Sequence, residues 1–185
     1  MDYRKLYFLC ITFLLVLLAS CDDDNPPAPI QLPEKTQVGA GTFGAIVNGE
    51  VWSFNIYGHD VSGGAVLDLS DLLYVYGGFS SRDRDESIGF TIRTQVGEGE
   101  YYLSSESDRR SGVFEYRNFE HHCFYINSSE NNSFYEGTVK ITRFDRYERI
   151  ISGEFEYVID YRESPEYGND CGEVRVTDGR FDLKF

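Results

Sequence analysis

Ile150-Ile151-Ser152-Gly153-Glu154-Phe155-Glu156-Tyr157-Val158-Ile159-Asp160-Tyr161 is the stretch whose reading decides the fold. Phe155, Tyr157, Ile159 and Tyr161 fall on one side of a two-residue period, with Glu154, Glu156 and Asp160 on the other. Successive side chains of a strand point to opposite faces, so the pattern predicts a long strand over 150–161 with one dry and one wet face. Half-polar alternation of this kind belongs to antiparallel sheets, whereas strands of parallel sheets, buried on both faces, read as unbroken apolar runs.

Working outward, the same alternation recurs. Gly137 to Thr142 sets Val139 and Ile141 on one face. Glu173-Val174-Arg175-Val176-Thr177 runs into Asp178-Gly179 and then Arg180-Phe181-Asp182-Leu183-Lys184-Phe185. Asp-Gly between two alternating runs predicts a β-hairpin, with Val174 and Val176 opposed by Phe181, Leu183 and Phe185. Near the front, Thr42–Val47 and Glu50–Phe54 flank Asn48-Gly49, a second hairpin signal. Trp52, the only tryptophan, sits on that hairpin and is expected in the core. Between these ends the expected strands are shorter: Ala65–Leu69, Leu72–Tyr76 ended by Gly77-Gly78, Ser87–Thr94, Tyr101–Leu103, Val113–Tyr116 and Cys123–Ile126. Arg82–Glu86, Ser104–Gly112 and Asn127–Ser133 read as polar loops. After the first 20 residues no segment keeps helical periodicity. About ten short strands punctuated by turn residues predict an all-β fold, an antiparallel β-sandwich over residues 42–185. A lipocalin-like β-barrel is the alternative, because 14 Tyr and 14 Phe can line a cavity as well as fill a core.

The front of the chain has a different character. Arg4-Lys5 precedes an uncharged apolar run from Leu6 to Leu18. That run is short of the roughly 20 residues a bilayer span needs, and it reads as a secretory signal. Leu18-Ala19-Ser20-Cys21 resembles the lipobox of bacterial lipoproteins, which implies a lipid on Cys21 and cleavage after residue 20. Several acyl chains, at about 0.8 kcal/mol per buried methylene, make a stable membrane anchor. Asp22-Asp23-Asp24 and Asn25-Pro26-Pro27-Ala28-Pro29 follow. They begin an extended, solvated tether over 21–41, a reach of roughly 60 Å at about 3.1 Å per residue. In Bacteroidetes lipoproteins an acidic cluster after the lipidated cysteine resembles a signal for the cell surface.

Several stretches together resemble a family of uncharacterised Bacteroidetes lipoproteins. They are Leu18-Ala19-Ser20-Cys21, the Asp-rich start, Thr42-Phe43-Gly44, Val47-Asn48-Gly49 with Trp52, Ile150–Phe155, and the ending Val176-Thr177-Asp178-Gly179-Arg180-Phe181-Asp182. The resemblance implies an outer-membrane location and an all-β fold, and brings no activity with it.

Composition narrows the function. With 17 Lys+Arg against 31 Asp+Glu the formal charge is −14, which excludes a nucleic-acid partner and a domain lying flat on anionic lipid. Four cysteines are present. Cys10 lies in the signal and Cys21 takes the lipid, leaving Cys123 and Cys171 as an even pair in a compartment where disulfides persist. His121-His122-Cys123 supplies at most two ligands on one strand face, and His59 stands apart, so no metal is expected. Asp83 and Asp85 share a loop without the EF-hand pattern. Neither a Gly-x-Ser-x-Gly elbow nor a phosphate-cradling glycine loop is present, so no cofactor is implied. Carboxylates are abundant, yet Glu154 and Glu156 occupy outward strand positions, as a solvated sheet face requires. The expectation is a non-catalytic binding module on the envelope, with an envelope or extracellular partner. A carboxylate-based hydrolase and a carrier of a small lipophilic ligand are the alternatives.

Overall fold

The Asn48-Gly49 pair turns the chain back on itself. In a computed structural model, β1 (Thr42–Val47) and β2 (Glu50–Asn55) pair antiparallel, with Val47 opposite Glu50. Asn48 has φ 49° and Gly49 φ 87°, the two positive values a type I′ turn requires. The structure describes residues 30–55, 61–82, 84–93, 95–105, 112–118, 123–124, 134–160 and 172–185.

Nine further strands follow: β3 (Val61–Leu67), β4 (Leu73–Ser80), β5 (Asp85–Ile92), β6 (Gly99–Ser104), β7 (Gly112–Asn118), β8 (Cys123–Phe124), β9 (Phe134–Asp145), β10 (Ile150–Asp160) and β11 (Glu173–Lys184). They form two antiparallel sheets. The first has the order β2-β1-β11-β10-β9-β6 and the second β3-β4-β5-β7-β8. Among the described residues no strand ladder joins the two, so the molecule is a β-sandwich and the closed-barrel alternative is overturned. The chain crosses between sheets at β2–β3, β5–β6, β6–β7 and β8–β9, while the remaining links join neighbours within a sheet.

The expected hairpin at Asp178-Gly179 is corrected. Residues 173–184 form one strand, β11, paired on one side with β1 and on the other with β10. Phe155 lies opposite Gly179 and Tyr157 opposite Val176, so β11 carries one extra residue there. The same offset appears against β1, where Gly44 meets Arg180 and Ile46 meets Thr177. A bulge of this kind exchanges the two faces of a strand. It lets the even-numbered Val174 and Val176 and the odd-numbered Phe181 and Leu183 all reach the core. Asp178 takes φ 53°. Both a turn and a bulge draw on the tolerance of Asp for that conformation.

A second correction concerns Gly77-Gly78, expected to end a strand. Both lie inside β4. The Phe43 ring rests on Gly77 so closely that a Cβ would stand 2.4 Å from its Cδ1, and glycine is what lets the sheets approach there.

The interior is filled by aromatic rings from both sheets. Phe90 of the second sheet meets Phe155 and Phe181 of the first, with centroids 5.6 and 5.5 Å apart. Phe114 stacks on Tyr157 at 4.3 Å. Trp52, 2% exposed, packs edge-on against Phe79, as its core placement required. Burying such rings stabilises by roughly 1.5–3 kcal/mol each.

The folded unit begins earlier than Thr42. Asp182 lies on the outward side of β11, yet it is 1% exposed because residues 36–40 cross over it. Its carboxylate accepts hydrogen bonds from the backbone N–H groups of Val38, Gly39 and Ala40 at 3.0, 2.8 and 3.1 Å. The hydroxyls of Thr36 and Ser152 add bonds of 2.6 and 2.7 Å. Lys35 pairs with Glu154, and Arg180 donates to the Pro33 carbonyl. The last part of the expected solvated tether is therefore a strap on the first sheet, and residues 21–29 lie outside the described residues.

Candidate functional site

Strand register places four rows of side chains on the outer face of the second sheet. In the first row Val66, Tyr74 and Thr91 stand side by side across β3, β4 and β5. The next holds Gly64, Tyr76, Gly89 and, on β7, Glu115. The third holds Ser62, Gly78, Ser87 and Arg117. Asp85 stands at the end, opposite Ser80. Tyrosines and charges are thus interleaved with glycine and serine, and the short residues leave a groove of about 430 Å³ between the tall ones. That volume falls within the ~300–1,000 Å³ of small-ligand sites.

Tyr74 and Tyr76, two apart on one strand, stack with centroids 4.9 Å apart and 17° between planes. The Tyr76 ring leans over Gly64, where a Cβ would lie 3.9 Å from Cε1. One face of Tyr76 is therefore occupied by Tyr74. The other looks along the strand over Gly78, flanked by Ser62 and Ser87.

Glu115 and Arg117 form the polar wall. Arg117 Nη2 donates to Glu115 Oε2 at 3.0 Å, with the side chains 32% and 16% exposed. Tyr74 O–H donates to the same oxygen at 3.3 Å, and Thr91 Oγ1 to Oε1 at 3.5 Å. Burial, followed by the adjacent Glu115 charge, pushes the Tyr74 phenol up to about 12, so it remains a donor throughout the ordinary pH range. Arg117 Nε is buried and has no hydrogen-bond partner. The groove therefore brings together a guanidinium held from behind by Glu115 and the rings of Tyr74 and Tyr76.

The outer face of the first sheet differs. Glu100, Lys140, Glu154 and Arg180 stand in one row across four strands, alternating in sign. A shallow depression there is lined by Glu100, Lys140, Glu154, Glu156 and Asp178, which is a solvated charged surface.

Of the residues singled out from sequence, Asp85 begins β5, is exposed, and lines the groove. Glu154 and Glu156 face outward on β10, as the alternation required. The Cys123 backbone lies in β8 opposite Asn118. Cys21, Cys171, His59, His121, His122 and Asp83 lie outside the described residues, as do 106–111 and 127–133 of the two polar loops. Among the described residues no group of three or more His, Cys, Asp or Glu could hold a metal. Tyr74, Tyr76, Glu115 and Arg117 were not picked out by sequence reasoning. The signal available was two i, i+2 pairs of large or charged residues on the polar phase of strands, next to glycines of the same phase. Comparison of the chain with protein-family models, with curated proteins and with solved structures finds no match.

Proposed function

We propose that this chain is a lipid-anchored binding module of the outer envelope. It holds its ligand against the outer face of the β3-β4-β5-β7 sheet and does no chemistry on it. The observation that carries the reading is the groove, where a stacked tyrosine pair, Ser62, Ser87 and an Arg117 held by Glu115 converge. Two further features support it. The interior is packed with rings, which suits a rigid scaffold better than a lipophilic carrier. Glu115, beside the groove, is committed to Arg117, Tyr74 and Thr91, an arrangement that suits holding a guanidinium in place.

The anchor rests on Leu18-Ala19-Ser20-Cys21, with the lipid on Cys21. In the exported protein Cys123 and Cys171 form a disulfide. The loop it closes stabilises by roughly 4 kcal/mol in the chain-entropy model, and thiol counting without reductant tests it.

The test of the function has two arms. Cys21→Ala should release the protein from membrane to soluble fractions, and retention in the membrane would sink the anchor. The purified full chain should bind a ligand yet leave a panel of glycosides and esters unchanged. Turnover abolished by a single Asp or Glu replacement, with the fold intact, would establish the hydrolase instead.

A further inference from the structure

Resting on that reading, we infer that the groove's ligand is an uncharged oligosaccharide, with one sugar ring lying on the open face of Tyr76 and its hydroxyls shared between Arg117 and Asp85. The argument begins with shape. A pyranose presents a flat face of C–H groups and a rim of hydroxyls. Tyr76 offers the matching surface, because Tyr74 stacks on only one side of its ring and the ring lines the groove. Ser62 and Ser87 line the groove beside it, and their short side chains leave room that a larger residue would fill. An aromatic ring used this way gives contact area at low entropic cost, since only two side-chain torsions need be held.

Hydroxyl recognition comes next. Each sugar hydroxyl both donates and accepts, so its site needs donors and acceptors close together. Arg117 supplies the donor: it lines the groove, its side chain is 32% exposed, and the bond from Nη2 to Glu115 holds the guanidinium in place. Asp85 supplies an acceptor at the open end. Glu115 is committed to Tyr74, Thr91 and Arg117, and its task is to hold the guanidinium in place. It is a positioning residue.

Charge selects among saccharides. Asp85 lines the groove and Glu115 backs Arg117, so two carboxylates stand against one guanidinium, on a chain of net charge −14. A uronic acid or sulfated sugar would meet net repulsion, while a free cation would meet Arg117. A neutral, hydroxyl-rich chain satisfies both signs. The groove is open along the sheet, which suits an internal stretch of a polymer as well as a chain end.

The experiment is isothermal titration of the full chain, purified in detergent, with neutral oligosaccharides (gluco-, manno-, xylo- and galacto-series) and with oligogalacturonate. Saturable binding of a neutral series is expected, with oligogalacturonate weaker. Tyr76→Ala should weaken it by about tenfold or more, the scale of a lost stacking contact. Tyr76→Phe should leave it near wild type, which separates ring stacking from any role of the phenol and shows that the strand tolerates replacement. Ser87→Tyr, which fills the groove from a central strand, should abolish binding, with thermal unfolding confirming that it folds. Neutral-sugar binding untouched by both Tyr76→Ala and a folded Ser87→Tyr would overturn the groove assignment while leaving a binding module. Preference for oligogalacturonate would overturn the charge argument. Binding of no saccharide in the panel would overturn the inference, and a screen of peptides on the same protein would then tell whether the binding reading falls with it.

Discussion

The outer faces of the two sheets share one backbone pattern and carry opposite chemistry. Across the first sheet, Glu100, Lys140, Glu154 and Arg180 lie side by side, each charge next to its opposite. Across the second, the comparable row reads Gly64, Tyr76, Gly89, Glu115. Cross-strand neighbours of opposite charge suit a face whose only task is to meet water. Aromatic rings set among glycines do not follow from that requirement, because glycine weakens a strand and packs nothing. The second face gives up strand stability for a shaped surface. The first face is the one the chain can cover, and it does so with residues 33–40.

That cover gives the largest expected effect. Asp182 holds three backbone N–H groups of the strap and two hydroxyls in a site closed to solvent. Asp182→Ala strands several buried donors, and the loss should be about 3 kcal/mol or more in denaturant unfolding. Limited proteolysis should then cut between Ile30 and Gly41, while the groove on the other sheet stays intact. Burial pushes the Asp182 carboxyl up, but the bonds from Thr36, Ser152, Val38 and Ala40 outweigh it and hold the pKa below the ordinary aspartate value. A depressed folded pKa contributes stability above the unfolded value, near pH 4, and that contribution is lost as pH falls through the folded value. Acid unfolding should therefore be less steep in Asp182→Ala than in the parent. An unchanged acid limb would remove Asp182 as the reason the strap is held.

The next effect belongs to the second face. A Cβ on Gly89 would stand 2.5 Å from the Val75 carbonyl oxygen and 2.9 Å from Tyr76 Cβ. Gly89→Val must push β4 and β5 apart, at a cost of about 1–3 kcal/mol, and must tilt the Tyr74–Tyr76 stack. Thr138→Val, at an outward position of β9 that already carries a branched side chain, should cost far less. If the two substitutions proved equal in thermal unfolding, the glycines of the second face would lose their special standing.

A smaller effect reads the groove's electrostatics. The unfolded chain's tyrosines ionise near pH 10, whereas Tyr74, buried and beside Glu115, is pushed up to about 12. A raised folded pKa on an acid favours its neutral form in the fold. The stability this contributes is present below pH 10 and is lost as pH rises from there towards 12. Burial also pushes the Tyr116 phenol up, so phenolate absorbance should lose one of its late-titrating tyrosines in Tyr74→Phe, and that one should move to lower pH in Glu115→Gln. Tyr74→Phe itself should cost about 1 kcal/mol, below the roughly 1.5–3 kcal/mol of a hydrogen bond to a charged acceptor because this bond is long, 3.3 Å.

Much of this architecture was legible in the sequence, and the exceptions share a cause. The alternation of residues 150–161 gave β10 directly, and Asn48-Gly49 gave its hairpin, because both signals are local. Asp178-Gly179 misled because a hairpin and a bulged strand both invert the alternation and both place Asp178 at positive φ; only the partners β1 and β10 distinguish them. Gly77-Gly78 looked like a strand end because glycine's packing role depends on Phe43, which arrives from the other sheet. The strap was hidden for the same reason: its donors lie 142 to 144 residues from the carboxylate they bind. The groove needed the register of four strands before Tyr76, Ser87 and Arg117 became neighbours. Strand existence is written locally, whereas faces and sites are written in pairings.

The smallest expected effect tests the plain half of the comparison. If the charged row of the first sheet does no more than meet water, breaking it should change little. Lys140 faces solvent between Glu100 and Glu154, and Glu154 also pairs with Lys35, whose side chain is 55% exposed. An exposed pair gains little Coulomb energy in water and gives up side-chain entropy to hold its geometry, so each is worth about 0–1 kcal/mol. Lys140→Ala leaves two carboxylates facing each other across the gap, a repulsion that water and salt screen within about 10 Å at ordinary ionic strength. Unfolding free energy should shift by less than about 0.5 kcal/mol, less still as salt is raised, and ligand affinity should not move. A loss several times larger, or a change in binding, would mean that the first face does more than stay wet, and that the contrast between the two faces has been drawn in the wrong place.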